Sequence, residues 1–244
     1  MIKKINVVLV ICTMTFQLIG WNVGMMAAAS GKRVAFSGYE WEVKSGYAAP
    51  GSNYWSNKNA WVDEQGRLHL KISKENGRWV CAEVATRRSF CPGRFEFQIE
   101  GPINVLNANV VLGLFLYPDS ESGPSEKNEI DIEFARWGKP SHVPGSYTVM
   151  SNTHDFPFFL SGTFTTHVIE WGYQKIGFQS FHGHIDSHFG QSFNSWVYDP
   201  QEFANVFPEG PLRIHMNLWL FQGEEPDDGS GTEIIIRGVR YIPM

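Results

Sequence analysis

The segment at positions 128–134 reads Asn-Glu-Ile-Asp-Ile-Glu-Phe, and its polar and apolar side chains alternate from Glu129 onward. Successive side chains of a β-strand point to opposite faces of its sheet, so this period of two predicts a strand with one buried face and one polar face. The segment at 94–100, Arg-Phe-Glu-Phe-Gln-Ile-Glu, alternates in the same way. Both segments therefore predict half-buried strands.

The chain outside these segments also favours strands. It contains short runs of β-branched and aromatic residues separated by turn residues, and it lacks a long helical periodicity. Glu75-Asn76-Gly77 is typical of a hairpin turn, and the nearly continuous apolar run from Asn109 to Tyr117 is typical of a strand buried on both faces. The predicted strands cover 67–72, 79–84, 94–100, 109–117, 129–134, 146–151, 167–171, 176–181, 212–220 and 233–241. About ten strands at this spacing predict an antiparallel β-sandwich or barrel.

Composition excludes several classes of protein. Of the 244 residues, 43% are hydrophobic and 18% are charged, which excludes a disordered chain. The 24 Gly and 13 Pro residues follow no fixed period, so collagen-like and repeat architectures are also excluded. The formal net charge of −5 argues against a nucleic-acid partner.

The N-terminal 29 residues have the pattern of a secretory signal peptide. Two lysines precede an uncharged apolar run at 5–20, and three alanines at 27–29 form a small-residue cleavage site. The alternative is an uncleaved membrane anchor, for which the apolar run is slightly short. We therefore predict a signal peptide at 1–29 and a single domain at 30–244. That domain would be secreted or periplasmic and would have no membrane contact after cleavage.

Two cysteines remain in the predicted mature chain, Cys81 and Cys91. Export from the cytoplasm permits a disulfide between them, and the sequence leaves the pairing open. Two cysteines alone make no zinc site, and we assign no metal ligands from the sequence.

The polar face of the 128–134 segment carries three carboxylates in a row, Glu129, Asp131 and Glu133. Four residues of strand span about 13 Å, and two glutamates that lean toward each other would bring their carboxyls to about 5–7 Å. Retaining glycosidases place two carboxyls about 5–5.5 Å apart and inverting ones about 6.5–9.5 Å apart. Asp131 would hydrogen-bond one glutamate and raise the proton affinity of the other. Two alternatives stay open at this point: a solvated strand face and a calcium site.

Several motifs resemble glycoside hydrolase family 16, the family of lichenases, laminarinases, agarases, carrageenases and xyloglucan endotransglycosylases. Glu129–Phe134 resembles the active-site strand of that family. Further similar segments follow in the family's order: Asp63–Ile72, Cys81-Ala82-Glu83, Gly93–Phe97, Thr166–Trp171, Met216-Asn217-Leu218-Trp219 and Val239-Arg240-Tyr241. The similarity extends over roughly residues 40–242.

The resemblance implies an all-β fold, a two-sheet antiparallel β-jelly-roll sandwich of the concanavalin A type. It implies that Glu129 is the nucleophile, that Glu133 is the general acid and base, and that Asp131 assists them. The activity would be endo-hydrolysis of a β-linked polysaccharide with retention of configuration. β-1,3-linked or mixed-linked glucan is favoured as the substrate. A transglycosylase and a non-catalytic carbohydrate-binding protein are the alternatives.

The remaining candidate site residues would bind sugar through aromatic faces or hydrogen bonds. These substrate-binding candidates are Tyr47, Tyr54, Glu83, Trp137, Asn152, His154 and Trp219. Ala49 and Ala85 stand where lichenases carry Asn and Arg, so the resemblance does not extend to every lichenase contact. No cofactor is expected beyond a structural calcium ion with undefined ligands, and the expected protein is a monomer with a polysaccharide as its partner.

Overall fold

The alternating segments of the sequence form strands in the computed structural model. The structure describes residues 31–119, 128–185, 190–200, 207–208 and 210–244. The signal peptide predicted at 1–29 lies outside these ranges. None of the described residues belongs to a helix with the length and apolar character that a membrane crossing needs.

Eighteen strands lie in the described residues. They are β1 (Arg33–Phe36), β2 (Tyr39–Val43), β3 (Gly46–Ala48), β4 (Asn53–Trp55), β5 (Ala60–Val62), β6 (Leu68–Glu75), β7 (Arg78–Val80), β8 (Ala82–Phe90), β9 (Gly93–Glu100), β10 (Val110–Tyr117), β11 (Ile130–Phe134), β12 (Gly145–Val149), β13 (Asn152–Phe156), β14 (Phe164–Trp171), β15 (Ile176–His182), β16 (Ser192–Tyr198), β17 (Leu212–Leu220) and β18 (Thr232–Pro243). The predicted number of about ten was too low. The prediction missed the short strands near the N-terminus and strands of mixed composition, such as β13 and β16, because they carry no clear period of two.

The strands form two large antiparallel sheets and a small hairpin. Sheet A has the order β1-β2-β8-β17-β10-β11-β12-β13, and sheet B has the order β16-β15-β14-β9-β18-β6-β5 with β7 paired to β6. The hairpin consists of β3 and β4. This arrangement confirms the predicted all-β, two-sheet jelly-roll sandwich of the concanavalin A type.

One core fills the space between the inner faces of the sheets. Ile130, Ile132 and Phe134 of β11 are fully buried in it. Phe95 and Phe97 of β9 are also fully buried there. Burial of such a side chain contributes about 1.5–3 kcal/mol relative to exposure. The apolar half of each alternating segment therefore holds its strand against the core and leaves the polar half on the outer face.

Turn residues fix the registers of the hairpins. Asn76 (φ 50°) and Gly77 (φ 81°) both adopt left-handed backbone between β6 and β7. That pair of conformations belongs to the type I′ turn, which matches the twist of the flanking strands. The hairpin predicted from the sequence is thus confirmed.

The strand predicted at 79–84 is interrupted at Cys81. This residue forms an isolated bridge with Trp55 and separates β7 from β8. Cys81 is a free thiol that lies 3.3 Å from Oδ1 of Asn53 and donates a hydrogen bond to it. Burial raises the pKa of the Cys81 thiol to about 12. The structure contains no disulfide bond between Cys81 and Cys91.

The residues Gly31–Met244 form one compact unit. The predicted start of the mature domain at residue 30 stays a prediction, since the preceding segment lies outside the described ranges.

Candidate active site

Strand β11 lies in sheet A between β10 and β12, and its outer face carries the acidic row. Glu129, which directly precedes β11, and Asp131 and Glu133 within it all line one cavity of about 280 Å³. Alternation explains the arrangement, because the intervening isoleucines occupy the core on the inner face. The structure thus brings the three predicted catalytic residues together.

A second row crosses sheet A at the level of Glu133. Residues that pair directly across antiparallel strands point to the same face. The row consists of Glu83 on β8, Asn217 on β17, Gly113 on β10, Glu133 on β11, Ser146 on β12 and Asp155 on β13. Neighbouring strands lie about 4.8 Å apart, so Asp155 starts about 10 Å from Glu133 and Glu83 about 14 Å from it on the other side.

Gly113 leaves room for the side chain of Asn217. A Cβ atom at position 113 would lie 2.5 Å from Oδ1 of Asn217, far inside van der Waals contact. That Oδ1 atom is buried and has no hydrogen-bond partner among the residues that the structure describes. Because Asn217 also lines the cavity, its amide offers a polar atom to a ligand next to Glu133.

The acidic row favours protonated carboxyls. Burial raises the pKa of Glu133 to about 8, with the charges of Glu129 and Asp155 acting in the same direction. Burial also raises the pKa of Asp131 well above its usual value, with further contributions from the charges of Glu129 and Glu133. A carboxyl that stays protonated near neutral pH can act as a general acid beside an ionised one.

A cation and a histidine lie on the other side of the cavity. Lys44 Nζ is 2.7 Å from Oε2 of Glu83 and donates a second hydrogen bond to the carbonyl oxygen of Ala49 at 2.7 Å. Nδ1 of His215 is 3.3 Å from the other carboxylate oxygen of Glu83. Burial alone would raise the pKa of Glu83, but the hydrogen bond to His215 and the charge of Lys44 outweigh it and lower that pKa.

Two aromatic candidates pack together at one end of the cavity. Trp219 lines the cavity, and Trp137 packs against it with ring centroids 6.4 Å apart and against Phe221 at 5.5 Å. Trp137 has left-handed backbone at φ 52° and is followed by Gly138 at φ 71°. Such backbone is rare for a bulky residue and requires support from the surrounding packing.

Tyr47 and Tyr54 form a pair on the β3–β4 hairpin, with ring centroids 4.8 Å apart. Neither tyrosine lines the acidic cavity, whereas Ala49 and Pro50 of the same hairpin do. Tyr54 instead faces Arg78, whose guanidinium lies 3.9 Å from its ring centroid. The structure thus places the two tyrosines beside the cavity wall and not in it.

Asn152 and His154, both on β13, also lie outside the cavity lining. His154 is stacked on Trp196 at 5.7 Å and, along the strand, points away from the face that carries Asp155. Asn152 donates to the carbonyl oxygen of Val149 at 3.4 Å. Of the seven substrate-binding candidates, Glu83 and Trp219 are the two that line the acidic cavity.

Sequence reasoning missed several polar residues of the site. Asn217 follows from alternation within Met216-Asn217-Leu218-Trp219, because it shares a face with Trp219. His215 lies two positions before Asn217 in the same strand, so alternation places it on that face as well. Asp155 and Lys44 carry no local signal, since strand pairing alone brings them to the site. Among the described residues, no group of three or more His, Cys, Asp or Glu side chains is arranged to hold a metal ion.

The jelly-roll sandwich and the acidic cavity on its outer face define a class of β-sandwich proteins with a carboxylate-lined cleft. The family model described as "Glycosyl hydrolases family 16" matches residues 50–235. The chain belongs to that family. A search of curated proteins finds no match.

Solved structures share the fold at low sequence identity. A β-glucanase of Bacillus licheniformis has a TM-score of 0.62 and 20% identity over 84% of this chain and 92% of its own. A prokaryotic β-1,3-1,4-glucanase (lichenase) from a mouse hindgut metagenome has a TM-score of 0.60 and 22% identity over 84% and 93%. An immunostimulatory antigen and pseudo β-1,3-glucanase of Mycobacterium tuberculosis has a TM-score of 0.64 and 21% identity over 84% and 91%.

Proposed function

We propose that this protein is a retaining endo-β-glycanase that hydrolyses a β-1,3-linked or mixed-linked glucan. The observation that carries the proposal is the acidic row, in which a Glu133 carboxyl with a pKa of about 8 lies in one cavity with Glu129. Retaining hydrolysis needs one protonated and one ionised carboxyl on the two sides of a glycosidic bond. The family membership and the neighbouring glucanases support the same reaction.

In the first step, the carboxylate of Glu129 attacks the anomeric carbon while Glu133 donates its proton to the glycosidic oxygen that leaves. The products are a covalent glycosyl-enzyme and the free reducing-side fragment. In the second step, Glu133 takes a proton from a water molecule that attacks the same carbon, and Glu129 leaves as a carboxylate. Asp131, whose pKa is raised by burial and by both glutamates, donates a hydrogen bond within the row and limits its total charge.

Glucan is the substrate that the comparisons favour. The Bacillus licheniformis protein is named a β-glucanase and the mouse hindgut protein a β-1,3-1,4-glucanase. We further propose that residues 1–29 are removed as a signal peptide and that the monomeric mature protein acts outside the cytoplasm, where such polymers occur.

Reducing-end release by the full chain, expressed with its own N-terminus, tests the proposal. The substrate panel holds laminarin, mixed-linkage glucan, xyloglucan, agarose and carrageenan. Glu129→Gln should abolish cleavage, whereas Glu64→Gln, an exposed glutamate outside the cavity, should leave it unchanged. Proton NMR of the first product should record the β-anomer, and an α-anomer would contradict retention.

A carbohydrate-binding protein without turnover is the second candidate, because the Mycobacterium tuberculosis relative of the same fold is named a pseudo β-1,3-glucanase. Wild-type protein that binds laminarin but cleaves no polymer would support this candidate. Larger oligosaccharide products at high acceptor concentration would instead indicate a transglycosylase.

A further inference from the structure

His215 lines the acidic cavity but has no part in the reaction proposed above. Its Nδ1 atom lies 3.3 Å from Oε1 of Glu83. Its Nε2 atom is buried and has no hydrogen-bond partner among the residues that the structure describes. A buried polar atom without a partner is unusual in a folded protein, and a ligand is one way to satisfy it.

The contact with Glu83 fixes which ring nitrogen of His215 carries the proton. Glu83 is held as a carboxylate by Lys44, whose Nζ lies 2.7 Å from it, and a carboxylate can only accept hydrogen bonds. The Nδ1 atom of His215 must therefore carry the hydrogen. Burial lowers the pKa of His215 and outweighs the opposing effect of Glu83, so the ring is neutral and its Nε2 atom is a hydrogen-bond acceptor.

The ring of His215 packs against two aromatic rings of the neighbouring strand β10. It lies 5.0 Å from the ring centroid of Phe115 and 5.7 Å from that of Tyr117. Both aromatic residues also line the cavity. The acceptor atom is therefore positioned before a ligand arrives, which reduces the entropic cost of binding.

The register of sheet A gives the distance of His215 from the reacting groups. His215 pairs with Phe115, and Phe115 pairs with Asp131. His215 thus starts two strands, or about 10 Å, from the middle of the acidic row. Side chains that start about 10 Å apart on one face of a sheet can contact neighbouring sugar units of one bound polysaccharide chain.

We propose that His215 is a specificity-determining residue whose Nε2 atom accepts a hydrogen bond from a hydroxyl group of the sugar unit adjacent to the reacting one. Lys44 and Glu83 act as positioning residues that hold its tautomer. The inference rests on the proposed function. It predicts that this cavity discriminates against polymers in which the adjacent sugar lacks that hydroxyl, because Nε2 would then be buried unpaired.

Two variants separate the roles of the two ring nitrogens. His215→Asn keeps an amide near the place of Nδ1, where it can donate to Glu83, and removes the polar atom at the place of Nε2. His215→Gln places an amide oxygen near Nε2. On the glucan that the wild type cleaves, we expect His215→Asn to raise KM by about tenfold with a smaller change in kcat, and His215→Gln to stay within about threefold of the wild-type KM.

The same substitutions in a Glu129→Gln background report binding alone. Calorimetric titration with oligosaccharides of that glucan should show about tenfold weaker binding for His215→Asn and near wild-type binding for His215→Gln. His215→Met, which fills the ring volume without a hydrogen-bonding atom in that position, repeats the test if His215→Asn lowers the melting temperature.

Unchanged KM and Kd in His215→Asn and His215→Met would overturn the inference while the proposed function stands. Loss of binding in His215→Gln with retention in His215→Asn would also overturn it, because the contact to Glu83 would then be the part that matters. Wild-type protein that neither cleaves nor binds any glucan would overturn the proposed function and this inference with it.

Discussion

Glu133 has negative charge on two sides, along its own strand and across the sheet. Glu129 lies in the same acidic row as Glu133. Asp155 lies two strands away, and only the buried Ser146 separates it from Glu133 across the sheet. After burial, these two charges raise the pKa of Glu133 to about 8. One of the residues that raise the pKa of Glu133 thus lies on β13, a strand that the sequence pattern does not reveal.

Asp155→Asn should move the basic limb of the kcat/KM pH profile to lower pH. Removal of the negative charge lowers the pKa of Glu133, so the protonated acid is lost earlier as pH rises. A shift of a few tenths of a pH unit is expected for unit charges about 10 Å apart in a water-rich environment. Asp228→Asn, at an exposed turn, is the control, and equal profiles for both variants would contradict the role of Asp155.

Gly113→Ala should lower both stability and activity, because the new methyl group would lie 2.5 Å from Oδ1 of Asn217. We expect a loss of about 1–3 kcal/mol in the free energy of unfolding, measured in urea, and at least a tenfold loss of kcat/KM. In an Asn217→Ala background the same substitution should cost far less, since the clash is gone. An equal cost in both backgrounds would contradict this reading of the glycine.

At the scale of the element, β11 exchanges stability for function. Its inner face packs Ile130, Ile132 and Phe134 into the core, while its outer face carries carboxyls that repel one another. Asp131 and Glu133 both have raised pKa values, so their ionised forms oppose folding. A group of this kind contributes full stability below its unfolded pKa, and the contribution is lost as pH rises through its folded pKa.

Asp131→Asn should therefore stabilise the protein at pH 8 and impair catalysis. The amide keeps the shape of the side chain but cannot ionise, and each unit by which the folded-state pKa is raised corresponds to about 1.4 kcal/mol. Thermal unfolding followed by circular dichroism should show the gain at pH 8 and little difference near pH 4, where the wild-type carboxyl is also protonated. A gain of the same size at both pH values would contradict the electrostatic explanation.

At the scale of the whole molecule, the sequence predicts which face of a strand each side chain occupies. It does not predict which strands pair with one another. The period of two places Glu129, Asp131 and Glu133 on one face, and the turn at Asn76 and Gly77 fixes one hairpin. The order β8-β17-β10-β11 joins segments more than a hundred residues apart, and no local pattern encodes it. The contact of Lys44 with Glu83 depends on the pairing of β2 with β8, and the inward position of His154 depends on the pairing of β12 with β13. Both emerge only from the folded chain.

Cys81 offers a probe of the stability of the whole sandwich. It lies between β7 and β8, is fully buried, and has a thiol pKa of about 12. Thiolate is the reactive form, so alkylation requires the sandwich to open. In the full chain with Cys12→Ser and Cys91→Ser, iodoacetamide should modify Cys81 at pH 8 more slowly than the urea-unfolded chain by a factor of about 10³ or more.

The rate of this modification should rise with urea in parallel with the unfolded fraction measured by tryptophan fluorescence, because both would report the same global opening. The reference rate is measured on the protein unfolded in about 8 M urea. This concentration is an excess, because typical denaturant sensitivities are about 1–3 kcal/mol/M. Rapid modification in water with unchanged fluorescence would show instead that the break between β7 and β8 opens locally. That result would show that the edge of sheet B unfolds independently of the cooperative unit that contains the acidic row.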